Sequence, residues 1–115
     1  KQNYKSKKIQ KAYDAVLKAH DKAIKNACSG MRANKIDAIG RDIIDKAGFG
    51  KYFIHSTGHG VGLDIHEMPY VSSRSRTKIE DNMVYTIEPG IYIPNEFGIR
   101  IEDMVVMRDG RAEVL

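Results

Sequence analysis

The first quarter of the chain repeats hydrophobic residues at helical spacing. Over residues 1–29 they recur every three or four positions, which predicts one long amphipathic helix ending near Ser29-Gly30. The hydrophobic face consists of Ile9, Ala12, Tyr13, Val16, Leu17, His20, Ala23, Ile24 and Ala27. A histidine on such a face packs more often than it catalyses, so we expect His20 to be structural.

A second helix is predicted from Asn34 to Ala47, because hydrophobic residues again share one face. These residues are Ile36, Ile39, Ile43 and Ala47. Asn34 is a favourable N-cap residue, and Asp37 places a negative charge in the first turn. Gly48 follows where helices commonly end in a left-handed glycine.

The second half of the chain has the pattern of strands. Three glycines make residues 52–66 unsuitable for a helix. Branched and aromatic residues then predict strands at Met83–Ile87, Ile91–Ile93 and Ile99–Met107, and Asp109-Gly110 is a strong hairpin-turn signal. This order predicts an α+β domain in which two helices pack on a mainly antiparallel sheet.

Composition narrows the class of protein. The 115 residues suit one small domain, with 42% hydrophobic and 30% charged residues as in ordinary globular proteins. We expect no signal peptide and no membrane span, and the single Cys28 is consistent with the cytoplasm. The net charge is +4 and lysines crowd the first eleven residues. No nucleic-acid motif accompanies them, so we expect neither a nucleic-acid nor a membrane partner.

Three of the four histidines, His55, His59 and His66, fall within twelve residues. Neutral imidazole is a common metal ligand and a proton carrier near neutral pH. Glycines on both sides of His59 allow its backbone to approach a ligand or a neighbouring strand. On one extended strand His55 and His59 would face the same side. A glycine-rich strand whose histidines only pack is the alternative.

Two glutamates stand in or beside the predicted strands. Glu88 ends a hydrophobic strand, where a carboxylate is costly to bury unless it is paired or bound to a metal. Arg100 and Glu102 share one strand face, which a surface ion pair would also explain. Taken together, His59, Glu88 and Glu102 form a suitable ligand set for a divalent cation, which would relieve the repulsion between the two carboxylates.

The segments HSTGHGVGLDIHEMP, TIEPGIYIP and FGIRIED resemble, in this order and spacing, the second half of the pita-bread metallopeptidases. The last two segments are similar to the branch of Xaa-Pro aminopeptidases and prolidases. The resemblance implies that residues 1–115 are half of a pita-bread fold, the C-terminal part of a catalytic domain. It further implies an exopeptidase that cleaves Xaa-Pro bonds at peptide N-termini or in dipeptides, with peptides carrying proline second as substrates.

The resemblance also implies the metal ligands. His59 and Glu88 would bind one ion, and Glu102 would bridge two divalent ions, with Mn or Co most suitable and Zn or Fe as alternatives. Glu88 would in addition accept the proton of the attacking water. These ions are those of the complete enzyme, and we expect this chain to hold one or none.

Three further residues receive roles from the resemblance. His66 would contact the substrate and assist proton transfer, and His55 would line the substrate site. Arg100 would orient an aspartate ligand.

The family has two further ligands, both aspartates, which precede the first helix. Asp14 and Asp21 lie inside that helix and do not match them. We therefore expect this chain alone to be inactive or nearly so, and to form homodimers or other associations through exposed sheet edges. The alternatives are a methionine aminopeptidase and a metal-free pita-bread module that binds peptides or proteins; retention of the ligands favours an enzyme.

Overall fold

The computed structural model describes residues 4–61 and 69–115. Helices α1 (Tyr4–Asn26) and α2 (Ala33–Lys46) come first, followed by a single 3₁₀ turn (Gly50–Tyr52). The strands of the described ranges are β1 (Gly58–His59), β2 (Tyr70–Val71), β3 (Val84–Ile87), β4 (Gly90–Ile93), β5 (Phe97–Arg100), β6 (Asp103–Arg108) and β7 (Arg111–Val114). The predicted α+β class is confirmed.

All strand pairs in this part of the chain are antiparallel. β1 pairs with β2, β6 lies between β3 and β7, and β4 pairs with β5. The β3–β6 and β4–β5 ladders have one register, since Ile87 faces Asp103 and Gly90 faces Arg100. The four strands β3 to β6 therefore form a single long hairpin that is interrupted near its middle.

Pro89 explains the interruption. Its carbonyl accepts a hydrogen bond from the Ile101 amide at 3.3 Å, but a proline has no N–H to return one. The predicted single strand Ile99–Met107 is consequently wrong in one respect, because it is divided into β5 and β6 at residues 101–102.

Small residues on α1 allow the helices and strands to pack closely. Four buried alanines follow its inner face, Ala12, Ala15, Ala19 and Ala23, and the buried Ala27 comes directly after the helix. Gly40 of α2 lies against Ala19, where an added Cβ would stand 3.4 Å from the Ala19 carbonyl oxygen. Alanine and glycine at this crossing keep the two helix backbones near each other.

The hydrophobic residues form two clusters along α1. One lies between the end of α1, the start of α2 and strands β3 and β6: Ala23, Ala27, Ala33, Ile36, Val71, Ile79, Tyr85, Ile87, Val105 and Met107. The other lies between the first half of α1, the end of α2 and β4: Ala12, Ala15, Val16, Ala19, Ile44, Phe49, Phe53, Ile91 and Ile93. The interruption of the long hairpin falls between these two clusters.

The ends of the helices differ in part from prediction. α1 stops at Asn26 rather than Ser29, since the amides of Ser29 and Gly30 donate to Gly110 and Ile79 in the strand region at 3.0 and 2.7 Å. At the end of α2, Gly48 has the predicted left-handed conformation, with φ +93°.

The predicted N-cap of α2 is wrong. The cap residue is Arg32, without a side-chain hydrogen bond, and Asn34 lies inside the helix. The amides of Ala33 and Asn34 instead donate to the carbonyls of Thr77 and Ser75, both at 2.8 Å. Backbone oxygens of a distant loop thus satisfy the donors that a cap would serve.

The turn between β6 and β7 is the predicted hairpin turn. Asp109 and Gly110 both have positive φ, 52° and 83°, as a type I′ turn requires. Within the described ranges, no helix is long and hydrophobic enough to cross a bilayer.

Asp81 links this turn to the end of α1. Its Oδ1 accepts hydrogen bonds from the Ser29 hydroxyl and from the Gly110 amide, the latter at 3.0 Å. The hydrogen bond from Ser29 and, to a smaller extent, the hydrogen bond from Gly110 hold the pKa of Asp81 below its usual 3.8. These hydrogen bonds are made by the charged form, so they favour it.

Replacing Asp81 with Asn should remove a stabilising contribution that depends on pH. Because the folded pKa is lowered, the contribution is fully present above the unfolded pKa and is lost as pH falls through the folded value. Thermal unfolding of wild type and Asp81→Asn should show a Tm difference that is constant above about pH 5 and shrinks in more acidic buffer. The exposed Asp42→Asn is the matched control. A Tm difference independent of pH would contradict the assignment.

Candidate metal centre

Strand β1 carries His59 and lies against β3 at very short range. A Cβ on Gly58 would stand 1.7 Å from the Thr86 carbonyl oxygen, so only glycine fits there. The His59 amide donates to the Thr86 hydroxyl at 3.1 Å, and the Val61 amide donates to the Val84 carbonyl at 2.9 Å. These contacts fix the backbone of His59 beside the strand that leads to Glu88.

His59 and Glu88 come together at the end of β3. His59 Nε2 lies 3.6 Å from Glu88 Oε2, which is too far for a hydrogen bond. The Glu88 side chain is only 15% exposed. Its Oε2 has no hydrogen-bond partner among the described residues. A buried carboxylate oxygen in this state is costly unless a cation binds it.

The His59 ring is oriented with Nε2 towards this carboxylate. Its Nδ1 lies 2.9 Å from the Gly60 carbonyl oxygen, which can only accept a hydrogen bond. The neutral ring therefore carries its proton on Nδ1, and Nε2 keeps a lone pair. Metal-binding histidines commonly have this arrangement, with the second nitrogen donating to a carbonyl.

Glu102 reaches the same place through the strand register. In the register shared by the two ladders, Glu102 is the residue opposite Glu88 at the hairpin interruption. Its carboxylate lies 3.5 Å from Arg100 Nε, with both side chains about half exposed. Within residues 4–61 and 69–115, no three His, Cys, Asp or Glu side chains form a metal-binding group. The structure thus joins His59 and Glu88 and places Glu102 opposite, engaged with Arg100.

These residues fit a divalent cation. They offer one imidazole nitrogen and carboxylate oxygens, a donor set typical of Zn, Mn, Co or Fe sites. The orphaned Glu88 oxygen beside the His59 lone pair is the observation on which this fit rests.

His55 has different surroundings from His59. Its Nδ1 lies 2.7 Å from the Ser56 carbonyl oxygen, so Nε2 accepts a hydrogen bond from the Tyr92 hydroxyl at 2.8 Å. The ring also contacts Phe53 edge-on, at 5.3 Å between centroids. Residues 55–57 are not a strand, so His55 and His59 do not share one strand face as predicted. His66 lies outside the described residues.

His20 is buried, as expected from its place on α1. Nδ1 and Nε2 lie 2.9 Å from carboxylate oxygens of Asp21 and Asp103, respectively. The ring therefore lies between α1 and the start of β6, but its contact with Asp103 does not have the geometry of a hydrogen bond.

Three buried polar residues near His59 and Glu88, namely Asp37, Thr57 and Thr86, were not predicted from the sequence. Asp37 was expected to be a first-turn charge, but it is 1% exposed and paired with Arg41. Thr57 and Thr86, both buried, were not singled out. The spacing of Asp37 and Arg41, four residues apart on a helix, was the available signal for an ion pair.

The chain belongs to metallopeptidase family M24, whose family model matches residues 3–109. It is 48% identical over 110 residues to the Xaa-Pro dipeptidase of Pyrococcus furiosus, covering 96% of this chain and 32% of that protein. Prolidase from Thermococcus sibiricus superposes with a TM-score of 0.91 at 45% identity, covering 95% of this chain and 30% of that one. The X-Pro aminopeptidase from Thermotoga maritima superposes with a TM-score of 0.88 at 39% identity, covering 95% of this chain and 31% of that one.

These comparisons confirm the predicted family branch and the pita-bread fragment. The chain spans only about 30% of the length of these relatives.

Replacing Gly58 with Ala should displace β1 from β3. The added Cβ meets the Thr86 backbone at 1.7 Å, which no side-chain movement relieves. We expect a loss of unfolding free energy on the order of 3–5 kcal/mol, measured by urea denaturation. Gly40→Ala is the matched control, because its Cβ makes ordinary contacts and alanine favours a helix. Equal stability of the two variants would show that β1 is not packed as described.

Proposed function

We propose that this chain is part of the catalytic domain of a dinuclear metallo-exopeptidase that hydrolyses the bond preceding proline. The observation that carries the proposal is the buried Glu88 Oε2, which has no hydrogen-bond partner among the described residues and lies 3.6 Å from His59 Nε2. A metal ligand pair explains both features, whereas a surface ion pair leaves the burial of Glu88 unexplained.

The named relatives support the substrate class. They include a Xaa-Pro dipeptidase, a prolidase and an X-Pro aminopeptidase. Two of these names specify a residue followed by proline, the unit that this proposal assigns to the substrate. They do not separate dipeptides from longer peptides as the substrate, and both remain within the proposal.

His59, Glu88 and Glu102 are the residues of this chain that would hold divalent ions. When bound, such ions supply Lewis acidity, which lowers the pKa of an attacking water and polarises the scissile carbonyl. Glu88 would also accept the proton of that water, the role that the family resemblance implies for it. Arg100 holds the Glu102 carboxylate and is available to orient a further carboxylate ligand.

His66 and His55 complete the proposed site. His66 contacts the substrate and assists proton transfer in this proposal, and His55 lines the substrate pocket. The Tyr92 hydroxyl on His55 Nε2 keeps that nitrogen from binding metal, which suits a lining role better than a ligand role.

The chain alone would hold one ion at most, because Asp14 and Asp21 do not match the two aspartate ligands of the family. Titration with Mn²⁺ or Co²⁺ in a calorimeter should give weak binding, with no more than one ion per chain. His59→Ala and Glu88→Gln should weaken that binding by roughly tenfold or more. Glu113→Gln on β7 is the control. Two tight sites per chain, or binding indifferent to Glu88, would contradict the proposal.

Activity requires more than these residues. We expect the purified chain alone to release no measurable proline product from Xaa-Pro dipeptides. In a complete catalytic domain containing this chain, Xaa-Pro substrates should be cleaved, and Glu88→Gln should lower kcat by roughly 10²–10⁴-fold. Dipeptides, longer Xaa-Pro peptides and Met-starting peptides are assayed side by side. A preference for Met-starting peptides would indicate a methionine aminopeptidase, and peptide binding without cleavage would indicate a metal-free binding module.

Association through strand edges stays part of the proposal. β7 lies at the edge of its three-stranded sheet and its residues are mostly exposed, with Val114 at 48%. Such an edge favours pairing with a second chain or with another part of the catalytic domain.

A further inference from the structure

A buried carboxylate on α2 reaches across to the segment that precedes His59. Asp37 is 1% exposed and accepts two hydrogen bonds from Arg41, from Nε at 2.8 Å and from Nη2 at 3.0 Å. It accepts two more from Thr57, from the amide at 3.2 Å and from the hydroxyl at 2.7 Å. Four donors satisfy a buried charge, and they also fix Thr57 relative to the helix.

Arg41 extends this hold to the residues before Thr57. Its Nη1 donates to the Phe53 carbonyl at 3.0 Å, and its Nη2 donates to the His55 carbonyl at 2.9 Å. The guanidinium also lies over the Phe53 ring, 4.0 Å from the centroid. Only the planar, five-donor guanidinium can make these bonds at once, so lysine is not an equivalent residue here.

Thr57 connects the ion pair to Glu88. Its carbonyl accepts a hydrogen bond from the Glu88 amide at 2.6 Å. Gly58, the next residue, packs on Thr86, and His59 then donates its amide to the Thr86 hydroxyl. Thr57 therefore contacts α2 through its amide and side chain, and contacts the Glu88 backbone through its carbonyl.

We propose that Asp37, Arg41 and Thr57 are positioning residues that set the separation between His59 and Glu88. This proposal rests on the proposed function, in which that pair binds a divalent ion. The three residues act through the backbone of residues 53–59 and the Glu88 amide rather than by contact with metal or substrate. Ligands must be held to within about 0.5 Å by such supporting residues, so loosening them lowers metal affinity.

The arrangement differs from an ion pair that only stabilises the fold. Arg41 and Asp37 direct six of their hydrogen bonds to each other and to residues 53–57. All the partners outside α2 lie in the short segment that leads into β1. A disturbance here is expected to move His59 and Glu88 while leaving the β6–β7 ladder in place.

Two variants test the proposal. Arg41→Lys keeps the charge but loses the fork of donors, and Thr57→Val removes only the hydroxyl donor at similar volume. Thr57→Ser keeps that donor and is the conservative rescue variant. Asp42→Asn is a matched control on the same helix, one residue from Arg41 and exposed.

Amide hydrogen exchange by NMR, without added metal, is the first measurement. In Arg41→Lys and Thr57→Val the amides of Glu88 and His59 should exchange about tenfold faster or more, while the Glu113 amide of β7, which lies opposite Val106 of β6, keeps its protection. Thr57→Ser and Asp42→Asn should match wild type. Equal acceleration at all of these amides means general destabilisation and overturns the proposal. Because no metal is present, this result stands even if the proposed function fails.

Binding of Co²⁺ alone, followed by visible absorption, is the second measurement. Arg41→Lys and Thr57→Val should weaken binding roughly 10–100-fold, and Thr57→Ser should restore it. Unchanged Co²⁺ affinity in variants with a lowered Tm assigns the ion pair to stability only and overturns the proposal. Absence of Co²⁺ binding by a complete catalytic domain that contains this chain would instead overturn the proposed function, and amide exchange would then decide the positioning role.

Discussion

The candidate site depends on a proline that interrupts a long β-hairpin. Because Pro89 cannot donate to the ladder, strands β3 and β4 separate at residues 88–89, and β5 and β6 separate at the residues opposite. The register is nevertheless the same on both sides, so Glu88 and Glu102 face each other at the interruption. Two carboxylates are thereby brought to the boundary between the two hydrophobic clusters.

The two carboxylates have different surroundings. Glu102 is about half exposed and lies beside Arg100, so solvent and the Arg100 guanidinium both stabilise its negative charge. Glu88 is more buried, and its Oε2 lies 3.6 Å from His59 Nε2 without a hydrogen-bond partner among the described residues. Glu88, whose charge is the less stabilised of the two, therefore lies beside the ring nitrogen of His59 that could bind a metal. A divalent cation is the partner that suits both groups at once.

Much of the fold could be predicted from local pattern, and the misses have a common cause. The helices, the Gly48 end and the Asp109-Gly110 turn depend on nearby residues and were predicted correctly. The N-cap at Asn34 was wrong because carbonyls of residues 75 and 77, distant in sequence, satisfy the helix amides. The division of Ile99–Met107 was missed because nothing in that segment reveals that Pro89 lies opposite. The pairing of His59 with Glu88 was inferred from motifs, whereas the part played by Asp37 required its contact with Thr57.

Each proposed ligand is supplied by a different element, so the site exists only in the folded chain. β1 provides His59, the end of β3 provides Glu88, and the residue before β6 provides Glu102. An ion that binds them therefore binds the folded state and stabilises it by an amount that grows with the ratio of ion concentration to Kd. Gly58 and Thr57 bear on the proposed site for the same reason, because Gly58 packs directly on Thr86 and the Thr57 carbonyl accepts a hydrogen bond from the Glu88 amide. These contacts hold β1 close to β3, and with it the His59 backbone close to Glu88.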